Sequence, residues 1–143
     1  MLASEIQNDP IGLGYAALLP DQPGHVVELM NARTQTMVRE RFVTARGILA
    51  EVPGGAQILD KLEAVAPAVP EVKWALRFLV GELGIDIGHA QTRALIQALA
   101  DQHVLTADDA AALLALAVQP ASRAEVLGLA PITEEALRAA GVL

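Results

Sequence analysis

Apolar residues recur every three or four positions along most of the chain, the spacing that places side chains on one face of an α-helix. Proline and glycine interrupt this pattern at short intervals. The sequence therefore predicts a mainly α fold, a compact bundle of short helices. The predicted helices are Leu2–Asn8, a segment from Asp21 or Pro23 to Asn31, Thr44–Glu51, a segment around 58–65, Glu71–Leu83, His89–Gln102, Ala110–Val118, 122–127 and 133–141.

The chain has 143 residues, close to the commonest size of one domain. Hydrophobic residues make up 53% of it and aromatic residues only 3%, which favours closely packed helices over a sheet. We expect residues 1–143 to form a single helical domain. Within it, residues 1–52 form an N-terminal half that includes an extended segment, and residues 53–143 form the helical bundle.

The stretch Gln35–Val43 fits two patterns. Thr36, Val38 and Phe42 alternate as in a strand, whereas Val38 and Phe42 also share one helical face with later apolar residues. We favour an extended segment that ends at Thr44, a candidate N-cap for the next helix. The chain holds no second strong strand candidate. The backbone of an extended segment must then pair with a weak local partner, with another subunit or with water.

Three helix starts near the C-terminus carry capping signals. Thr106, Ser122 and Thr133 each precede acidic residues of a first helical turn, and Ser122 with Glu125 fits a capping box. Carboxylates in a first turn are stabilised by the helix dipole. This explains the acidic pairs at 108–109 and 134–135 without any catalytic chemistry.

The predicted helix Glu71–Leu83 has two apolar faces to bury. Val72, Leu76, Leu79, Val80 and Leu83 form one face. Trp74 and Phe78, four residues apart, lie nearly opposite. Such aromatic side chains are enriched in the centres of protein interfaces, so Trp74 and Phe78 form a candidate interface. The alternative, which we favour, is that they pack beneath residues 35–52 of the same subunit.

The formal net charge is −7, and Lys and Arg do not cluster in any segment. A nucleic-acid partner is not expected, because nonspecific binding to DNA or RNA requires a basic surface. No apolar run reaches the roughly 18 residues of a membrane span, so no membrane partner is expected. The N-terminus does not resemble a secretion signal.

Arg39 and Arg41, in the segment without an evident strand partner, form a second candidate interface.

Residues suited to catalysis or metal binding are few. The chain has three histidines and no cysteine. His89 and His103, if on one helix, would lie about 21 Å apart, too far to share an ion. The paired glycines complete no nucleotide-binding motif. The sequence therefore predicts no catalytic residue, no metal site, no cofactor and no small-molecule substrate, and we expect that the protein is not an enzyme.

The segment Glu5–Tyr15 resembles the opening of a family of small proteins encoded by tailed bacteriophages and prophages, and its part Asn8-Asp-Pro-Ile-Gly-Leu-Gly-Tyr15 is the most specific. Other segments are similar to the family at intervals over almost the whole chain. They are 29–33, 44–49, 105–109, 113–117, 120–125 and 132–137. The stretches 18–24 and 63–70 depart from the family pattern.

The resemblance implies a phage-encoded protein of the kind often encoded among virion structural genes, and it supplies no catalytic residues. We therefore expect a noncatalytic structural or assembly protein of a tailed phage virion, made in the host cytoplasm. Its expected partners are other virion proteins, copies of itself, or both. The alternative is a phage-encoded binding module outside the virion that acts on a host protein or as an assembly chaperone.

Overall fold

The computed structural model of the protein describes all 143 residues and confirms the mainly α fold. The helices are α1 (Leu2–Asn8), α2 (Tyr15–Leu18), α3 (Pro23–Asn31), α4 (Ala45–Glu51), α5 (Gly55–Val65), α6 (Pro70–Leu79), α7 (Ala90–Asp101), α8 (Ala107–Ala115), α9 (Arg123–Val126) and α10 (Glu134–Ala139). The strands are β1 (Gln35–Val38), β2 (Phe42–Val43), β3 (Ile85–Asp86) and β4 (Val118–Ala121).

The predicted N-caps of the last three helices are confirmed. The Thr106 hydroxyl accepts a hydrogen bond from the Asp109 N–H at 3.0 Å, and the Asp109 carboxylate accepts one from the Thr106 N–H at 3.1 Å. Ser122 and Glu125 form the same reciprocal pair, at 3.1 Å in each direction. Thr133 caps α10 through its hydroxyl. These bonds satisfy donors that a first helical turn leaves unpaired.

The segment 35–43 is extended, as predicted, but both of its strands have partners within the chain. β1 lies beside β4, and β2 pairs antiparallel with β3, with Phe42 opposite Asp86. Of the three partners considered for this segment, the structure contains the weak local partner, and the chain has four short strands where a single extended segment was predicted. β3 is only two residues long, and β4 contains Pro120, which donates no backbone hydrogen bond. Neither segment therefore has the alternating pattern that reveals a strand in a sequence.

Two other elements differ from the predictions. α8 ends at Ala115 and not at Val118, because Val118 begins β4. The short helix α2 was not predicted, since Gly12 and Gly14 indicated only a break in the chain. Both differences arise where a turn or a strand pairing outweighs the local apolar pattern.

The chain forms two compact units. Unit 1 contains residues 1–37 and 119–143, and unit 2 contains residues 38–118. The predicted internal division between residues 52 and 53 falls inside unit 2, because α4 packs on α5 across it. The expectation of a single domain stays a prediction.

Unit 1 buries a core to which both of its chain segments contribute. α3 packs against α9 and α10. The buried apolar residues are Ile6, Tyr15, Val26, Met30, Ala124, Ile132 and Leu137. Asn31 fixes the backbone of Ile132, because its amide nitrogen donates to the Ile132 carbonyl and its amide oxygen accepts from the Ile132 N–H, each at 2.8 Å. This exchange joins α3 to the segment that precedes α10.

Unit 2 is held by aliphatic packing between helices. α7 packs against α8, and α5 packs against both α4 and α6. The largest fully buried side chains here are Ile48, Ile58, Val72 and Leu105. Between α5 and α8, the Lys61 ammonium donates to the Asp109 carboxylate at 2.6 Å. This hydrogen bond is the main cause that lowers the pKa of Asp109 below its usual value.

Gly84 allows β3 to approach β2 closely. Its φ is +78°, and a Cβ atom there would overlap the carbonyl oxygen of Val43. We expect Gly84→Ala to lower the free energy of unfolding by about 3 kcal/mol, since a left-handed conformation costs about 1–2 kcal/mol and overpacking about 1–3 kcal/mol. Denaturant unfolding followed by circular dichroism measures this loss.

The matched control is Gly54→Ala, in the same unit. Gly54 has a φ of +73°, but the nearest atom to its added Cβ is the Gln57 side-chain oxygen at 3.8 Å, an ordinary contact. This variant therefore bears only the conformational cost. Equal losses in the two variants would contradict a packing role for Gly84.

Candidate protein interaction surface

Helix α6 turns one face to the core of unit 2. Pro70 occupies its first turn, where a missing N–H leaves no helical hydrogen bond unmade. Val72 and Leu79 are buried and Leu76 is half-buried. This face lies towards α5 and β3, the elements that α6 contacts most. The aliphatic face predicted from the sequence is thus used in the core over the length of the helix.

The opposite face of α6 exposes its aromatic residues to solvent. Trp74 is 50% exposed and Phe78 is 59% exposed. The favoured expectation that these rings pack beneath residues 35–52 was wrong. The extended segment is held elsewhere by its backbone, since β2 pairs with β3 and the Arg39 N–H donates to the Ala117 carbonyl at 2.9 Å. Both rings therefore remain at least half exposed.

Exposed apolar surface continues beyond the end of α6. The helix ends at Leu79 and not at the predicted Leu83, because the Gly81 N–H bonds to the carbonyl of Phe78 in a tighter turn. Val80 and Leu83 therefore leave the buried face that the sequence predicted for them. They are 76% and 81% exposed.

Two cations stack on the exposed indole. The guanidinium carbon of Arg77 lies 4.5 Å from the centre of the Trp74 ring, and the Lys73 ammonium lies 5.4 Å from it. A cation–π contact at an exposed site contributes about 0.5–1 kcal/mol. These contacts hold the half-exposed ring against its own helix and place two positive charges beside it.

We call the exposed side chains of this helix the α6 face. They are Pro70, Glu71, Lys73, Trp74, Arg77 and Phe78. Next to the α6 face, two open surface pockets, which we call the two hollows, lie on either side of Val80. Ala45, Leu59, Glu63, Leu76, Arg77 and Val80 line the first. Thr44, Ala45, Arg46, Leu79, Val80, Gly81 and Glu82 line the second. The α6 face is therefore continuous with the surface formed by α4 and α5.

The cations at this surface differ from the others in the protein. Of the ten Lys and Arg side chains, three make no hydrogen bond or ion pair within the chain. They are Arg46, Lys73 and Arg77. All three lie on the α6 face or at the hollows beside Val80. Their charges are thus available to a partner.

The second pair of candidate interface residues has a different setting. Arg41 donates to the Leu116 carbonyl at 2.7 Å and to the Glu51 carboxylate at 2.6 Å, and its backbone N–H donates to Asp86 at 2.9 Å. Arg39 is half-buried. An internal structural role for Arg41 is therefore shown, and an interface role for Arg39 and Arg41 stays a prediction.

Unit 1 contains a buried ion pair that no sequence pattern indicated. Arg123 donates to the two carboxylate oxygens of Glu5 at 2.7 and 2.9 Å, and the Tyr15 hydroxyl donates to the same carboxylate at 3.3 Å. The hydrogen bond with Glu5 raises the pKa of Arg123, while burial first and then the Glu5 charge raise the pKa of Tyr15. Arg123 therefore stays charged and Tyr15 stays neutral at neutral pH.

The segment Asn8–Tyr15 folds as a tight turn between α1 and α2. Asp9 adopts a φ of +40°, and its carboxylate accepts hydrogen bonds from the N–H groups of Leu13 at 2.7 Å and Gly14 at 2.8 Å. The turn places Tyr15 at the start of α2, where its ring is fully buried and its hydroxyl joins the ion pair. The most specific residues of the family resemblance thus have a structural use in this chain.

The residues first considered for catalysis are placed by local structure. His89 caps α7 and accepts a hydrogen bond from the Gln91 N–H at 3.2 Å, and His103 follows the helix with a φ of +62°. No group of three or more His, Asp or Glu side chains is placed to hold a metal ion.

A cavity of about 40 Å³ in the core of unit 2 is lined by aliphatic side chains and Thr92. It lacks the converging polar groups of a ligand site.

None of the ten helices combines the length and the apolar character needed to span a membrane. Comparison of the chain with family models, with curated proteins and with solved structures gave no match. The α6 face, with its exposed aromatic rings and charged rim, has the geometry of a binding surface.

The buried ion pair gives a prediction for the stability of unit 1. We expect Glu5→Gln to lower the free energy of unfolding by about 3–5 kcal/mol, because it leaves the Arg123 guanidinium buried without a counter-charge. The control is Arg138→Gln in the same unit, which removes an exposed ion pair with Glu134 at 3.6 Å and costs less than about 1 kcal/mol. Urea denaturation compares the two, and similar losses would show that Glu5 and Arg123 are not coupled in the core.

The exposure of the aromatic pair gives a second prediction. We expect Trp74→Gln together with Phe78→Gln to lower the free energy of unfolding by no more than about 2 kcal/mol, because the two cation–π contacts of Trp74 contribute about 0.5–1 kcal/mol each and glutamine is a good helix former. Leu79→Ala, on the buried face, is expected to cost about 2–5 kcal/mol. Thermal unfolding at low protein concentration, where association contributes least, measures both. A large loss in the glutamine variant would mean that the rings belong to the core.

Proposed function

We propose that this protein is a noncatalytic structural or assembly protein of a tailed bacteriophage virion. It acts through protein–protein contacts with other virion proteins, with copies of itself, or with both. It is made in the host cytoplasm and is incorporated into the particle. The phage assignment comes from the resemblance of Glu5–Tyr15 and of later segments to a family of small phage and prophage proteins.

The single observation that carries the contact role is the α6 face. Trp74 and Phe78 are each at least half exposed, and the helix that bears them is anchored to the core by its other side. Exposed aromatic rings rimmed by charged side chains are typical of protein contact sites. Arginine is also enriched at such sites, and Arg77 here has only the Trp74 ring as a partner.

A structural role is supported further by what the family-like residues do in this chain. The turn at Asn8–Tyr15 and the capping box of Ser122 and Glu125 both stabilise unit 1. They hold the backbone in place and present no group to a substrate. The proposal accordingly includes no nucleic acid, no membrane, no cofactor and no small-molecule substrate.

Quantitative mass spectrometry of particles tests the proposal. Phage particles from the strain that encodes the chain are purified on a density gradient, and its peptides are quantified against those of the major capsid protein. We expect a fixed stoichiometry that follows the particle peak across the gradient. A host cytoplasmic protein of similar abundance, quantified in the same fractions, controls for carry-over.

Absence of the chain from the particle peak would overturn the virion role. A pull-down with tagged chain from infected cells then identifies the alternative. Recovery of a host protein would indicate a binding module, whereas recovery of virion proteins would indicate an assembly chaperone that leaves before maturation.

A further inference from the structure

Two of the three charges of the α6 face, Glu71 and Arg77, lie at equal distances on either side of its central ring, and the third, Lys73, precedes Trp74 directly. Glu71 lies three residues before Trp74, and Arg77 lies three residues after it. At 1.5 Å per residue, each charge is about 4.5 Å from Trp74 along the helix axis. Pro70 and Phe78 stand four residues to either side. The three and four spacing keeps all five residues on one side of the helix.

This arrangement is self-complementary. If two copies of α6 lie antiparallel about a two-fold axis through Trp74, Glu71 of one copy faces Arg77 of the other, twice over. Trp74 then meets Trp74, and Phe78 meets Pro70. In a two-fold interface every contact occurs twice, so a surface with opposite charges at equal distances from its centre fits a second copy of itself.

The charge balance of the surface favours the same partner. The α6 face and its two hollows carry three cations, Arg46, Lys73 and Arg77, and three carboxylates, Glu63, Glu71 and Glu82. The other seven cations and fourteen carboxylates therefore carry the whole net charge of −7. Two copies repel one another through the rest of their surface, whereas this part is neutral.

None of the six charged side chains makes an ion pair or a hydrogen bond within the chain. The equal numbers of positive and negative charges also weigh against a partner that carries charges of only one sign. An acidic peptide would meet three carboxylates here, and a basic peptide would meet three cations. A second copy of the chain places Arg77 opposite Glu71 and Glu71 opposite Arg77. Registers that place Glu71 opposite Glu71, or Arg77 opposite Arg77 or Lys73, bring like charges together and are disfavoured.

We propose that the protein forms a two-fold symmetric homodimer through the α6 face, with Trp74 at the axis and Glu71 paired with Arg77 of the second copy. The inference deepens the proposed function, on which it rests for the use of this face in protein contacts, by naming the partner. It is tested on purified protein, so its failure is separable from that of the virion role.

A charge-swap series measured by sedimentation equilibrium tests the proposal. Glu71→Arg and Arg77→Glu each place like charges opposite one another at two positions of the dimer. We expect each to weaken association by about tenfold or more, since two attractive contacts are replaced by two repulsive ones. The double variant E71R/R77E exchanges the two charges and restores most of the affinity. Only a direct pairing between copies predicts this rescue.

Two controls complete the series. Glu135→Arg makes the same charge change on an exposed position of unit 1 and leaves association unchanged. The variant with Trp74→Gln and Phe78→Gln, shown to be folded by circular dichroism, is monomeric. A wild-type chain that stays monomeric at about 100 μM overturns the proposal. So does a dimer that both single charge reversals leave intact, or a double variant no tighter than the single ones.

The outcomes also separate this inference from the proposed function. A monomer in solution that is nonetheless present in particles refutes the dimer and leaves the virion role standing. A dimer with the expected rescue that is absent from particles refutes the virion role and leaves the dimer.

Discussion

The bidentate ion pair of Glu5 and Arg123 joins parts of the chain that are 118 residues apart, and the architecture of unit 1 depends on it. Unit 1 is made of the first and last segments of the chain, with the residues of unit 2 between them in sequence. A charge in an apolar core is costly unless its partner is present. Arrangements of unit 1 that separate α1 from α9 are therefore disfavoured, and Tyr15 and the turn at Asp9 are built around the pair.

Helix α6 carries more apolar side chains than the core of unit 2 buries. Its amphipathic pattern offers more apolar surface than unit 2 can cover, so Val72 and Leu79 are buried while Trp74 and Phe78 remain open. Stacked cations order the indole without removing it from solvent. The result is a preformed surface whose central ring needs little rearrangement to meet a partner, which lowers the entropic cost of association.

Local chemistry was visible in the sequence at several of these positions. The hydroxyl and acidic residues at 106–109 and 122–125 indicated capped helix starts, because a cap needs only neighbours within one turn. The spacing of Trp74 and Phe78 placed both rings on one helical face. The candidate site was thus found from the sequence, but its exposure was not, since the favoured expectation buried it. The ion pair of Glu5 and Arg123 gave no signal, because no local pattern links residues so far apart.

The sequence by itself determined the mainly α fold, most helix positions, the caps and the aromatic face, because each depends on residues within a few positions of one another. Only the tertiary structure decided where the extended segment pairs, where α6 ends and which of its faces meets solvent. Those outcomes depend on non-local contacts, such as the close approach of Gly84 to Val43 and the bond from Arg39 to Ala117. Which apolar surfaces are buried depends on how all the elements of a unit pack together. The apolar pattern of one helix therefore does not predict which of its two faces is buried.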